Sequence, residues 1–549
     1  MIDVINFFAT DIMRQINLIT RRNFFDQSAK VGLTAALSSL IDIPMVAKRA
    51  LAGDVTDGLG INGKKLLFIF LRGANDGLNS VIPVGDSAYN LTNRPQIMIP
   101  SDPGVDYSAT TGVCDYPVNA LPTDPTFSYD KAIRLGNGFA ALHPSLKFLA
   151  PVYNAGDLAL IHRVAYPKQS RSHFDSQAYW ETGSPNNSLV KDGIFYRTIM
   201  ESGLAYKSAL TGVSIQSSLP LCLRGSDAAM TNLSDPTRYN LLGIPNTIQG
   251  NNKADVFLRE AAGYSFPQKR NRDLLSLQYQ NLSNTLNIFS QLDFSEAGNT
   301  FIDDAPIDGD DVPYYLFPTS NAKNGGYAAH GNAGNKYVVD TGAYDFFNDL
   351  RAAATVLNKT DAIIAGTRLD GFDTHSTQGA ATGPHANLQR RIAWAIYGLK
   401  KYFTKYADKA TWNNLVVITM SEFGRTSVEN SDAGTDHGEA GVMFVAGGSV
   451  KGYGKAGVKT SVYGVNPTDT VPWQVGQTGS MFGDSSKRYL KRAVDYRSVL
   501  GKVIRDHLGA TQGQLDRIIP GYTVAGERLK TGGVSTKDGV TITGELPLL

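Results

Sequence analysis

Five stretches of the chain are dominated by apolar residues: KKLLFIFLRG (64–73), GDLALIHRVAY (156–166), DAIIAGTRLDGF (361–372), NLVVITMSEF (414–423) and GVMFVAGG (441–448). Runs this short, apolar on both sides of the pleat and bounded by glycine or charge, predict strands buried on both faces. Helical periods lie at about 138–154, 172–182, 194–203, 254–293, 343–358, 385–406 and 495–508. Strands alternating with helices predict an α/β protein: a doubly wound, mostly parallel sheet with helices on both faces.

Two regions interrupt this alternation. Residues 94–137 are rich in Pro, Asp and Thr, and residues 296–342 in Gly, Asn and Asp. Loops this long inside a domain are usually functional insertions or covers, and both are expected over one edge of the sheet. Residues 449–494 have an irregular β character, and the tail GVTITGELPLL is a candidate edge strand. At 549 residues the chain is long enough for one large α/β domain with insertions, or for two domains, and its 55 glycines favour long loops over a helical bundle. The 52 basic and 50 acidic residues leave a net charge of +2. That balance gives no support for a nucleic-acid or membrane-surface partner. Cys114 and Cys222 lie too far apart for a metal knuckle and are open to two assignments, a disulfide or two buried thiols.

The N-terminus has its own pattern. TRRNFF, Thr20 to Phe25, resembles a twin-arginine export signature. A mildly apolar stretch at 31–46 follows, then RALA ending at Ala52, whose small residues suit a signal peptidase. Asp42 and the short length make 31–46 a poor membrane span. Residues 1–52 are therefore expected to be a leader, 53–512 the main domain and 513–549 a C-terminal extension. The implied location is the periplasm, the cell surface or the medium, reached folded.

Acids recur where the strands end. LLFIFLRGAND ends in Asp76, AIIAGTRLDGFD ends in Asp373 with His375 two residues on, and LVVITMSE ends in Glu422. GTDHGEAG places Asp436 and His437 in a glycine-flanked loop before the VMFVA strand. In a parallel sheet the carboxyl ends of the strands share one edge, where ligands bind. Carboxylates converging there repel unless a cation lies among them. Asp76, Asp373, His375, Glu422, Asp436 and His437 are thus the candidate ligands of a divalent metal. The donors fit zinc first, with manganese, magnesium and calcium as alternatives.

Several motifs then carry a resemblance. LRGANDGLNSVIPVGDSAYNLTNRP, LHPSL, SRSHFDSQAYWETG, GFDTH, VVITMSEFGR, GTDHG and DYRSVLGKVIRDHLG occur in the order seen in DUF1501 proteins, over roughly residues 60 to 510. Those are mostly exported bacterial proteins, and they resemble the alkaline phosphatase and sulfatase superfamily. The resemblance implies an alkaline phosphatase-like fold with metal at the carboxyl edge of the sheet. In it Asp76, Asp373, His375, Glu422 and His437 stand at superfamily ligand positions. Two departures are plain: Phe423 replaces a ligand histidine, and Asp373 and His375 are two residues apart where phosphatases commonly have four. One metal, or altered geometry, is what these departures imply.

SRSHFDSQAYWETG (170–183) is where the superfamily keeps its nucleophile. Counting back from Thr182–Gly183 lands on His173, one residue past Ser172. Three roles compete: Ser172 as an activated nucleophile, His173 as reacting group or ligand, and Ser172 as a helix cap with Asp175 three residues on. Arg171 and Arg425 are candidates to hold an anion. The chain reads first as an exported, metal-dependent hydrolase of phosphate or sulfate esters, on small molecules or polysaccharide. The alternative from a different class is a secreted or cell-surface binding or assembly protein with a degenerate metal site. The oligomeric state is open.

Overall fold

The computed structural model describes residues 59–102, 130–236, 284–306, 313–325, 341–464 and 488–549, with Cys114. Short gaps within these ranges are residues 61, 87, 137–139, 207, 209, 229, 457 and 459–460. The expected leader, the helical period at 254–283 and much of both insertions lie outside the described residues.

Nine of the described strands form one sheet. In chain order they are β1 (Lys65–Leu71), β2 (Leu158–Ala165), β3 (Gly212–Ile215), β4 (Thr231–Leu233), β5 (Ile364–Leu369), β6 (Leu415–Met420), β7 (Gly441–Ala446), β8 (Val462–Tyr463) and β9 (Val494–Asp495). Their spatial order is β8-β2-β7-β6-β1-β5-β3-β4, with β9 also on β2. β1 runs parallel to β5 and β6, and β3 joins β5 and β4 in parallel. β7 is antiparallel to both β6 and β2. The architecture is mixed α/β, with a large, mostly parallel sheet.

The alternation along β1 explains why this strand is central. Leu67, Ile69 and Leu71 enter one core, and Leu66, Phe68 and Phe70 the other. A strand apolar at every position is stable only when covered on both faces. Helices α3 (Tyr344–Lys359) and α4 (Pro384–Lys405) cover the first face through Phe347, Leu350, Ile392, Trp394 and Ile396. Helices α2 (Ile194–Glu201), α5 (Tyr496–Lys502) and α6 (Gln512–Ile518) cover the second. Cys114 belongs to the first core and Cys222 to the second. Both cysteines are buried, on opposite sides of the sheet, and do not pair with each other.

Some expectations need adjusting. The described part of the 296–342 insertion packs on α4 rather than over the sheet edge: Tyr397 donates to Asp303 at 2.6 Å, and the Phe301 ring meets that of Tyr402 at 4.8 Å. The tail does not extend the main sheet as an edge strand. Thr541–Ile542 pairs with Gly533–Val534, and only Thr543 bridges to β9. Leu546 and Leu548 nevertheless bury fully in the second core. None of the described helices is long and apolar enough to cross a membrane.

Strand direction sets the working edge. β1, β2, β5 and β6 all end there, and antiparallel β7 begins there. The segments after four strands and before a fifth therefore meet.

Candidate metal centre

Helix α1 (His173–Thr182) starts at this edge, a few residues beyond the end of β2. Ser172 is its N-cap, the hydroxyl accepting the N–H of Asp175 at 3.4 Å, and Gly183 closes it with a left-handed turn. Ser176 and Gln169 tie this helix start to the backbone carbonyl of Glu422. His173, on the first turn, is thereby aimed at the ends of β5 and β6.

After β5 the chain carries Asp373 and His375; before β7 it carries Asp436 and His437. The two loops are stitched together by Thr377 N–H to Asp432 O, Gln378 N–H to Ala433 O and Thr435 N–H to Thr374 O, at 2.9–3.0 Å. Gly434 permits this approach, because a Cβ there would sit 2.4 Å from the His375 carbonyl carbon. Gly73, with φ of 106°, has the same role after β1: a Cβ would lie 2.3 Å from the backbone nitrogen of Asp373.

The result is a cluster of four side chains. His437 Nε2 lies 3.0 Å from His173 Nε2 and 2.9 Å from His375 Nε2. Asp373 Oδ1 lies 3.5, 3.0 and 3.4 Å from the Nε2 atoms of His173, His375 and His437. Ligand atoms of His173, Asp373 and His437 all fall within 4.8 Å of one another, a spacing that can hold a metal ion.

The outward nitrogens fix the tautomers. His437 Nδ1 faces the carbonyl oxygen of Arg171 at 2.8 Å, so it must donate. His173 Nδ1 faces Glu422 Oε1 at 2.8 Å, and His375 Nδ1 faces Asp436 Oδ1 at 3.3 Å. With each Nδ1 protonated, the bare Nε2 atoms of His173 and of His375 each face His437 Nε2 and Asp373 Oδ1, with His437 and Asp373 shared between them. Either two extra protons, on His173 and His375, or one dication satisfies this arrangement. The hydrogen bond to Glu422 raises the His173 pKa, whereas burial, reinforced by Arg425, lowers that of His375. Burial also lowers His437.

Not every candidate joins the cluster. Glu422 and Asp436 form its outer layer: Glu422 Oε1 also accepts the Gly73 N–H at 2.9 Å, and Asp436 pairs with Arg488 and Asn430. Glu422 Oε2 is buried without a hydrogen-bond partner among the described residues. Asp76 stays apart. Its oxygens accept Arg94 Nη1 at 2.7 Å, Arg94 Nη2 at 3.2 Å, Gln378 Nε2 at 2.7 Å and the Leu78 N–H at 3.2 Å. Burial alone would raise its pKa, but the charge and hydrogen bonds of Arg94 bring it down to about 2. No lone pair is left for a metal.

The arginines also differ from expectation. Arg425 is buried and donates to Asp373 Oδ1 at 2.8 Å, so it orients a cluster member rather than an external anion. Burial works to raise the Asp373 pKa, but this guanidinium holds it below the usual carboxylate range. Arg171 is exposed, with its guanidinium 4.3 Å from the Tyr489 ring centre, and its backbone carbonyl serves the centre. Phe423 is buried, with its ring 4.8 Å from that of His173 and 4.9 Å from that of His437. It walls the two imidazoles. The roles of Arg94, Gln378 and Thr435 have no clear sequence signal; the nearest is that Gln378 follows GFDTH by three residues and Thr435 lies within GTDHG.

The fold and site define a class: a mixed α/β protein with a His/Asp cluster at the carboxyl edge of a large, mostly parallel sheet. A family model, described as a protein of unknown function (DUF1501), matches residues 328–472. That span carries Asp373, His375, Glu422, Asp436 and His437, and the resemblance seen in the motifs holds there. No curated protein and no solved structure matches the chain.

Proposed function

We propose that His173, His375 and His437, each through Nε2, and Asp373 through Oδ1 bind one divalent cation, and that the protein is an exported, metal-dependent hydrolase of phosphate or sulfate esters. One observation carries this: three imidazoles have their Nδ1 atoms committed to acceptors, and the Nε2 atoms of His173 and His375 each lie 2.9–3.5 Å from His437 Nε2 and Asp373 Oδ1, with His173, Asp373 and His437 forming the compact group. Three nitrogens and one oxygen suit zinc better than the harder cations, which prefer oxygen. Glu422, Asp436 and the Arg171 carbonyl hold the imidazoles in the ligating tautomer and raise their basicity. A bound cation supplies Lewis acidity and a template for an ester oxygen.

The chain's own groups do the rest. Arg171 is exposed, its backbone carbonyl borders the centre, and among the described residues it is a cation we assign to the ester's negative charge. The first N–H groups of α1 add the positive end of a helix dipole. Ser172 is occupied as a cap, so water is the attacking group in this scheme. The motif resemblance supports an alkaline phosphatase-like arrangement, and TRRNFF supports export by the twin-arginine route. An N-terminus near Gly53 on protein recovered from the periplasm would support that route.

Elemental analysis of purified protein, with assays on phosphomonoester, phosphodiester and sulfate ester substrates, tests the proposal. Bound metal with turnover on one class is expected; neither metal nor turnover sinks it. The second reading, a secreted binding or assembly protein, is favoured by the commitment of Ser172 to its cap and of Asp76 to Arg94. Stoichiometric metal without turnover on any ester class would select it.

A further inference from the structure

Behind the cluster the buried polar side chains form a continuous path of hydrogen bonds with consistent donor directions. Arg94 grips both oxygens of Asp76. Asp76 Oδ2 accepts from Gln378 Nε2 at 2.7 Å, and Gln378 Oε1 accepts the hydroxyls of Thr374 at 2.9 Å and Thr435 at 2.7 Å. Thr435 Oγ1 in turn accepts from Arg425 Nε at 3.1 Å, and the Thr435 carbonyl accepts from Arg425 Nη2. Arg425 Nη1 ends the path on Asp373 Oδ1 at 2.8 Å. Asp76, Gln378, Thr435 and Arg425 are all buried. Gln378 sits three residues beyond His375, and Thr435 two residues before His437. The path therefore fixes the two loops that present the inner side chains, and it is anchored on the β1 acid that the centre itself does not use.

We propose that Gln378 and Thr435 are positioning residues of the centre, holding the Asp373–His375 and His437 loops in ligating register against the Asp76–Arg94 anchor. The proposal rests on the metal assignment above. Buried polar paths of this kind set geometry when every member is satisfied and loosen together when one bond is lost. Outer partners of metal ligands typically govern affinity by about 10–100-fold.

The test uses the full-length protein, stripped with a chelator and titrated with zinc alone. Thr435→Val removes the hydroxyl at nearly constant volume and should weaken zinc binding by about 10–100-fold, whereas Thr435→Ser should stay close to wild type. Gln378→Met should follow Thr435→Val, and it carries the test if the valine variant does not fold. Unchanged affinity in Thr435→Val and Gln378→Met, or an equal loss in Thr435→Ser, overturns the proposal. Histidine ring signals of the metal-free proteins, read by NMR, separate it from the metal assignment. If wild type takes up no zinc, the assignment fails, and the rings alone decide. Displaced His375 and His437 signals in Thr435→Val but not in Thr435→Ser support positioning, and unmoved signals overturn it.

Discussion

Asp76 and Asp373 begin from the same pattern, an acid placed just after a buried parallel strand at the same edge of one sheet. Their environments are opposite. Asp76 is sealed from solvent and neutralised by Arg94, whose five N–H groups all find acceptors within the protein. Asp373 is half-exposed, shares one guanidinium, and faces three imidazoles. A strand-end acid stays open to a further cation where the chain's own guanidinium takes only part of it, as Arg425 does at Asp373, and not where it is gripped through both oxygens, as Arg94 does at Asp76. One acid is sealed into the structure, and the other stays open at the sheet edge.

Substitutions can separate the two. Asp76→Ala leaves a buried guanidinium uncompensated and should lower unfolding free energy by about 3–5 kcal/mol, measured by denaturant titration of the metal-free protein. His437→Ala should do the reverse: zinc binding falls by more than about 100-fold, beyond what loss of an outer partner costs, with little change in the metal-free unfolding midpoint. If both variants shift the same property, the division between anchor and centre is wrong. Glu422→Gln keeps the shape but weakens the acceptor for His173 Nδ1. It should lower zinc affinity by about 10–100-fold in calorimetric titration.

The anchor also has a pH signature. The folded pKa of Asp76 is depressed to about 2 from 3.8, so its pairing stabilises the fold above the unfolded value and is lost as pH falls from about 4 towards 2. Asp76→Asn should flatten that segment of the stability profile, read from unfolding midpoints. The smallest effect is expected for Ser172→Ala, a loss of about 1 kcal/mol from the cap of α1 with ester turnover retained. Abolished turnover in a folded Ser172→Ala protein would restore a nucleophilic serine.

The five apolar runs became β1, β2, β5, β6 and β7 because a strand covered on both faces has no polar alternation to hide it. β3 and β4 carry no sequence signal because three or four residues give no period, and β8 and the start of β9 fall in the stretch 449–494, legible only as irregular β character. Direction is also invisible in a run of apolar residues, so the antiparallel course of β7 could not be read. At the site, His375, His437 and Asp373 were legible from their position beside strand ends, and His173 from its place ahead of a Thr-Gly pair. The division between inner and outer layers was not, because Glu422 and Asp436 differ from Asp373 only in which hydrogen bonds they already make. Asp76 misled because Arg94, its partner, arrives from a loop with no periodic signal.

The place of β1 in the sheet has a kinetic consequence. It is the first of the main strands to be synthesised, yet its neighbours begin only at Ile364 and Leu415. Until those segments exist, a growing chain carries LLFIFL with both edges unpaired, a template for aggregation. High contact order of this kind slows folding. Shielding of that one segment by a chaperone, rather than the speed of local helix formation, should therefore limit the yield of active protein.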